Sequence, residues 1–391
     1  MRYPTVTIIY ISLLTTALTI VFFKFSSLPY FYIFFLWASF FIYLFLFSSH
    51  QTLKAVYFTL TFILVILAAG EYLFSSRPIP MIRTDWRVKE QLESISGKPF
   101  IKRDPLLGYS MTPNNIVTYK EQYPTGESLE VVYTINANGL RVAGPQEMGK
   151  CKESIVFYGD SFTFGEGVND KETLPYQVEQ MLNERYCVYN FGTNGYGAHQ
   201  MLAALEGGIV NNIVTPPPQY IFYQGIVGHV NRIVRGVGIP YYGPKYSLID
   251  GELVYSGQFK DPGRLERIIN KSTIAHRLLH GTTLLSPNLN LYIKIIENTR
   301  DGFKKLYPAS EFHVIFWDIG YIYLFDPKGR ANERIIRKLE SLGIIVHRIS
   351  DIIPDLEPID AHYILKFNTH PNGKAYRKIA EAIVKMLDVH Q

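Results

Sequence analysis

The sequence predicts an α/β protein: a domain built on a parallel sheet with helices on both faces, preceded by three transmembrane helices and a small β-containing connector. Three observations predict it. Between about residues 151 and 391, short apolar runs alternate with helix-length amphipathic segments, the pattern of βα units. Several of those runs end on Gly-rich turns, as strands do when they open into the ligand crevice of a parallel sheet. And residues 1–74 hold three apolar stretches, each close to the roughly twenty residues that a spanning helix needs.

The three stretches are Thr5 to Phe23, Pro29 to Phe47 and Ala55 to Leu73, the last interrupted only by Glu71. A cleavable leader has one such run, not three in tandem. Three spans put the chain ends on opposite sides of a bilayer. Arg2 and Lys54 fall on one side; Lys24, Arg77, Arg83, Arg87 and Lys89 fall on the other. Taken literally, this bias favours a cytoplasmic C-terminal domain, but charge counts carry less weight beside a long translocated domain.

Residues 75–150 form the connector. Arg77-Pro78-Ile79-Pro80 is an extended linker, since proline fixes φ and disfavours helix at the residue before it. Leu129, Val131, Tyr133 and Ile135 alternate along one face of a strand. In the domain from 151 to 391, strands are expected at Ser154 to Tyr158, Cys187 to Asn190, Tyr220 to Tyr223, Phe312 to Trp317 and Ile344 to His347. Helices are expected at Glu172 to Arg185, from Ala198, and over Asn332 to Leu342. A last helix carries Ala375, Ile379, Ile383, Val384 and Leu387 on one face. Residues 233–311 interrupt the alternation as an insertion, either a lid or a wall of the crevice.

The first strand runs into Gly159-Asp160-Ser161-Phe162-Thr163-Phe164-Gly165-Glu166-Gly167-Val168. A serine on a strand-to-helix turn can present its hydroxyl to substrate, while nearby N–H groups face a developing oxyanion. The plainer alternative makes Ser161 a helix N-cap. A second Gly-rich turn, Val188 to Gly197, follows the second strand, and Asn368-Thr369-His370-Pro371-Asn372-Gly373 precedes the last helix.

With these blocks in this order, the C-terminal three-fifths of the chain resembles the SGNH/GDSL hydrolase family, as a membrane-anchored member. The resemblance implies a three-layer, flavodoxin-like domain. It makes Ser161 the nucleophile, His370 the general base, and Gly195 a backbone donor to the oxyanion. Glycine there lets backbone approach ligand closely; Gly192 and Gly197 serve equally well as plain turn residues. The third block departs from the family. Where Gly-x-Asn-Asp is usual, Gln224-Gly225-Ile226-Val227-Gly228-His229 places Val227 at the Asn position. Valine donates no hydrogen bond, so His229 or Asn231 is the candidate to reach substrate or oxyanion. The Asp usual three residues before the histidine is Phe367. Asn368, Asp360 or a backbone carbonyl then has to orient the imidazole.

In the family's fold the first two strands are parallel neighbours. Cys151 and Cys187 would then lie near their N-terminal ends, so a disulfide between them is expected, with two unpaired buried thiols as the alternative. A disulfide suits an extracytoplasmic, periplasmic-type location for the domain and an anchor in the cytoplasmic membrane. The implied activity is that of a serine esterase on acyl groups, acetyl among them, of an envelope polysaccharide or glycolipid. An O-acyltransferase using the same residues and a non-catalytic glycan-binding or assembly subunit are the alternatives.

Composition narrows the field further. A formal charge of +5, dispersed along the chain, argues against nucleic acid as a partner. The expected partners are the lipid bilayer and an acylated carbohydrate or glycolipid. No zinc-type Cys/His spacing and no phosphate loop occurs, so no metal or organic cofactor is implied.

Overall fold

The computed structural model describes residues 15, 31–75, 89–122, 126–144, 151–183, 185–235, 242–260, 286–319, 330–356, 362–365 and 370–389. They belong to two compact units, one drawn from residues 1–79 and 262–282, the other from 80–261 and 283–391.

In the first unit, α1 (Phe31–Phe47) and α2 (Gln51–Ser75) form a helical hairpin. Phe41 meets Tyr57 and Phe45 meets Phe58 across it, with ring centroids 6.2 and 6.1 Å apart. Among the described residues one helix is long and apolar enough to cross a membrane, over Gln51–Glu71 at mean hydropathy 2.0. Of the three expected spans, the third is matched by this helix. Of the second apolar run, Phe31–Phe47 is described, as an apolar helix of 17 residues. The first, apart from Thr15, lies outside the described residues.

The second unit opens with the connector strands β1 (Lys89–Ser94), β2 (Ile101–Asp104), β3 (Gly108–Met111), β4 (Asn115–Gln122) and β5 (Ser128–Ile135). Strands β1, β4 and β5 make an antiparallel sheet in that spatial order, and β2 and β3 pair beside it. Register places Leu92 opposite Tyr119, Ser94 opposite Val117, and Val117 opposite Tyr133, so these side chains share one face.

The main sheet holds β6 (Glu153–Tyr158), β7 (Tyr186–Asn190), β8 (Pro218–Ile226), β11 (Glu311–Trp317) and β12 (Ile345–Arg348), all parallel, in the order β12-β11-β8-β6-β7. In chain order this is 2-1-3-4-5, the flavodoxin-like arrangement that the resemblance implies. Helices cover the sheet, so its central strands are buried on both sides and read as continuous apolar runs. Ile155, Val156, Phe157, Ile221 and Phe222 are all fully buried. The strand order reverses between β6 and β8, and such sheets open their crevice at the C-terminal ends there.

The covering and connecting helices are α3 (Ser161–Phe164), α4 (Leu174–Leu182), α5 (Ala198–Glu206), α6 (His229–Arg235), α7 (Ser286–Leu306), α8 (Arg330–Ser341) and α9 (Gly373–Val389). Helix α9 buries Ala375, Ile379, Ile383 and Leu387, the face its periodicity predicts. Helix α7 falls in the stretch expected to be a lid or wall. The structure makes it part of the body of the domain, with Tyr292, Ile295, Ile296 and Phe303 fully buried. The hairpin of β9 (Pro244–Ile249) and β10 (Glu252–Gln258) lies in the same stretch. It is fastened by Tyr246 Oη donating to Glu206 at 2.6 Å. Residues 261–285 of this stretch lie outside the described residues.

The connector is bound into the structure around the main sheet. Phe164, the last residue of α3, sits in an apolar cluster otherwise made by connector residues, Met111, Val117, Tyr119, Val131, Tyr133 and Ile135. Arg141 lies between the rings of Tyr133 and Phe164, its guanidinium carbon 4.4 and 4.6 Å from their centroids. Its backbone bridges Ile135 on one side and Asn190 at the end of β7 on the other.

Candidate active site

Strand β6 ends at Tyr158 and runs into Gly159, whose φ of 154° and close surroundings exclude a side chain: a Cβ there would lie 2.2 Å from Thr163 Oγ1. Asp160 follows and caps α3, its carboxylate accepting from the Phe162 N–H at 3.0 Å. The cap is therefore Asp160, and Ser161 occupies the first helical position. A helix this short is held mainly from outside. Gln224 of β8 donates to Thr163 Oγ1 at 2.9 Å and accepts from Trp317 Nε1 at 3.0 Å. Gly192, from the turn after β7, packs directly on α3; a Cβ there would meet the Phe164 nitrogen at 2.3 Å.

His370 reaches the same point from the other end of the sequence. Asn372 Oδ1 accepts from the Lys374 and Ala375 N–H groups and so caps α9. The Asn372 N–H bonds Tyr363, and the Leu365 N–H bonds the His370 carbonyl at 2.8 Å. These bonds fix the backbone on which the imidazole stands. Its Nε2 lies 2.7 Å from Ser161 Oγ. Phe162, whose ring packs on Trp317, also backs the imidazole at 5.2 Å between centroids. Ser161 is 7% exposed, enough to be touched by a ligand and little enough to exclude bulk water.

Gly195 lies at φ 81° on the turn after β7, next to Asn194, whose side chain bonds Glu166 near His370. Among the described residues neither the Ser161 N–H nor the Gly195 N–H has an acceptor. Asn368 and Asp360, the two candidates to orient His370, lie outside the described residues.

His229 is placed differently from expectation. Strand β8 runs on to Ile226, beyond the expected end at Tyr223, so His229 starts α6 with its side chain directed inward. It is fully buried and touches no crevice. Its Nδ1 lies 2.5 Å from Tyr223 Oη and its Nε2 3.1 Å from Asp160 Oδ2. Burial lowers its pKa below the usual histidine range. The neutral tautomer that suits both contacts carries its proton on Nε2, toward the carboxylate. Asn231 is half-buried in the first turn of α6. Val227, at the position where a side-chain donor was sought, is 1% exposed.

Several residues join the site that sequence reasoning did not single out. Asp160 is fully buried; burial would raise its pKa, but Arg232 and His229 hold it below the usual carboxylate range. Arg232 Nη1 lies 2.7 Å from Asp160 Oδ2 and donates to the Tyr196 carbonyl at 2.7 Å, tying the first Gly-rich block to the second. Glu166 Oε2 is 3.9 Å from His370 Nε2 and accepts from Asn194 Nδ2 at 2.6 Å. Tyr109, from connector strand β3, donates to the Asn194 carbonyl at 2.6 Å, and Tyr196 Oη donates back to the Tyr109 carbonyl. Arg141 is wholly buried. Its Nε pairs with Asp170 at 3.0 Å, and its Nη atoms bond the Phe164 and Val168 carbonyls at 2.8 and 2.6 Å. It thereby fixes the loop carrying Glu166. Of these, Asp160, Glu166 and Asn194 stand inside the quoted Gly-rich blocks, while Arg232, Tyr109 and Arg141 carry no local signal.

Cys151 and Cys187 form a disulfide at the opposite end of β6 and β7, with Cα atoms 5.5 Å apart.

No protein-family model matches the sequence, and no curated protein matches it. Solved structures similar in fold include a member of the lipolytic protein G-D-S-L family from Veillonella parvula, at 15% identity and TM-score 0.35 over 60% of this chain and 97% of that one. A catalytic mutant of an acetylxylan esterase from Geobacillus stearothermophilus aligns at 13% identity and TM-score 0.36, over 60% of this chain and 93% of that one. A GDSL-like lipase from Bacteroides thetaiotaomicron aligns at 12% and 0.34, over 63% and 92%. At these values the chemistry of this chain has to be read from its own residues.

Proposed function

We propose that this protein is a serine acyl hydrolase working through a Ser161–His370 pair and an acyl-enzyme. The observation that carries this reading is the 2.7 Å contact between Ser161 Oγ and His370 Nε2 at the switch point of the sheet. Ser161 donates its proton to Nε2 while Oγ bonds the ester carbonyl carbon. The carbonyl oxygen becomes an oxyanion held by the Ser161 and Gly195 N–H groups. His370 then returns the proton to the departing alcohol oxygen, leaving an acyl-Ser161. A water deprotonated by His370 attacks that ester, and Ser161 leaves with the proton. Asp160 and Arg232 act through position: they fix the serine turn and the Tyr196 backbone next to Gly195.

The substrate class is an acyl ester of an envelope polysaccharide or glycolipid, and the domain faces outward from a membrane anchor. The paired cysteines and the apolar helix α2 support that placement. The test is labelling of the full-length protein by a fluorophosphonate. Labelling that disappears in Ser161→Ala and His370→Ala supports the reading. A folded protein that does not label overturns it. Product analysis with a sugar acceptor present separates transfer to water from transfer to a sugar hydroxyl.

A further inference from the structure

A cavity of about 910 Å³ lies between the connector sheet and the site, and no step of the mechanism uses it. Its inner end is polar and belongs to the site: Glu166, Thr193, Asn194 and Gly195 line it. Its walls come from the connector, among them Leu92, Phe100, Met111, Val117, Tyr119 and Tyr133. The tyrosine hydroxyls near the site are engaged elsewhere. Tyr109 donates to the Asn194 carbonyl, and Tyr133 accepts from the Gly167 N–H at 3.0 Å. What those rings offer the cavity is apolar surface. At the far end Lys98 lines the rim, where the chain is exposed.

The geometry points to this cavity as the binding site for the acyl chain of the substrate, and to a medium-length or longer fatty acyl group in place of acetyl. The inference rests on the serine hydrolase reading above. During acylation the alcohol oxygen has to face His370, which gives it a proton, and the carbonyl oxygen has to face Gly195. Neither Ser161 nor His370 lines the cavity, whereas Gly195 does, with Glu166 at 3.9 Å from His370 on its edge, so the cavity opens on the Gly195 side of the pair. The substituent directed into the cavity is therefore the acyl part. Its volume falls in the upper part of the range of about 300–1,000 Å³ that holds drug-sized ligands. A two-carbon acyl group would leave most of it to water against apolar walls, whereas each methylene buried there is worth about fourfold in transition-state binding.

The test is kcat/KM for 4-nitrophenyl esters from acetyl to octanoyl, on the full-length protein in lipid nanodiscs. It is run beside fluorophosphonate labelling and the variants Leu92→Trp and Val117→Phe. Leu92 is 49% exposed and a bulky replacement there is compatible with folding; Val117 is buried and its variant carries more risk. The expected result is a rise of about a hundredfold or more from acetyl to octanoyl. Either plugging variant should cut the octanoyl-to-acetyl ratio about tenfold or more. A variant that merely weakens the fold lowers both rates and leaves the ratio alone. A flat or falling profile in a protein whose Ser161 labels overturns the acyl pocket and leaves the hydrolase reading standing. No labelling and no turnover of any ester overturns the hydrolase reading, and the pocket with it.

Discussion

In the proposed mechanism Ser161 and His370 act as one unit, because a serine hydroxyl gains nucleophilic strength when an imidazole nitrogen accepts its proton. Ser161→Ala and His370→Ala are each expected to lower kcat by roughly 10⁴-fold or more, and the double variant to fall little further. Additive losses in ester turnover would contradict a shared role. Asp160 sits beneath this pair as a buried carboxylate whose fully charged partner among the described residues is Arg232. Arg232→Met leaves that charge uncompensated and is expected to destabilise the fold by about 3 kcal/mol, read from the denaturant midpoint. A third expectation concerns pH. His199, at the start of α5, is 1% exposed, and burial pushes its pKa down to about 3. The unfolded chain protonates near pH 6.5, so between about 6.5 and 3 it binds a proton that the folded form refuses. Stability is thus fully present above about pH 6.5. It should decline as pH falls toward 3, by up to about 1.4 kcal/mol per pH unit from this residue. His199→Phe should flatten that decline between pH 7 and 5 in urea titrations; an unchanged slope would rule the residue out.

At the scale of elements, the serine turn is held by what packs on it more than by its own four-residue helix. Gly192→Ala tests this, because the added methyl would meet backbone atoms of Thr163 and Phe164. A displacement of α3 by about an ångström is expected to cost roughly a hundredfold in kcat with only a modest change in stability. An active Gly192→Ala variant would show the turn to be self-supporting. Strands and helices of this domain were legible in the sequence, because strands buried on both faces are written as unbroken apolar runs and α9 as a clear stripe. Ser161, His370 and Gly195 stood out as residues on turns between such elements. His229 was misplaced because the end of β8 was set at Tyr223; three more residues of strand turn its side chain from crevice to core. Arg232, Tyr109 and Arg141 were not legible at all. Their meaning depends on partners 72, 85 and 29 residues away, and nothing local marks such a pairing.

For the whole molecule, Cys151–Cys187 closes a loop of 36 residues at the end of the sheet remote from Ser161. A closure of that length is expected to contribute about 4 kcal/mol through the unfolded chain. Cys187→Ser should therefore lower the melting temperature while leaving fluorophosphonate labelling of the folded protein intact. If alkylation found two free thiols in the native protein, the outward placement of the domain would lose its chemical support. The location of the connector was readable as a separate stretch, but its part in the site was not, since Phe164 and Arg141 join it to residues that follow in the chain. That joining has a bearing on solubility. An open sheet offers unpaired N–H and C=O groups along its outermost strands, which invite pairing with another copy. On one side β12 is only four residues long. On the other, β7 is met at Asn190 by the backbone of Arg141. A preparation beginning at residue 151 would strip that guard from β7 and lay Phe164 bare. It should self-associate where the longer chain stays dispersed, so a well-behaved soluble form needs the connector even if every reacting atom lies beyond it.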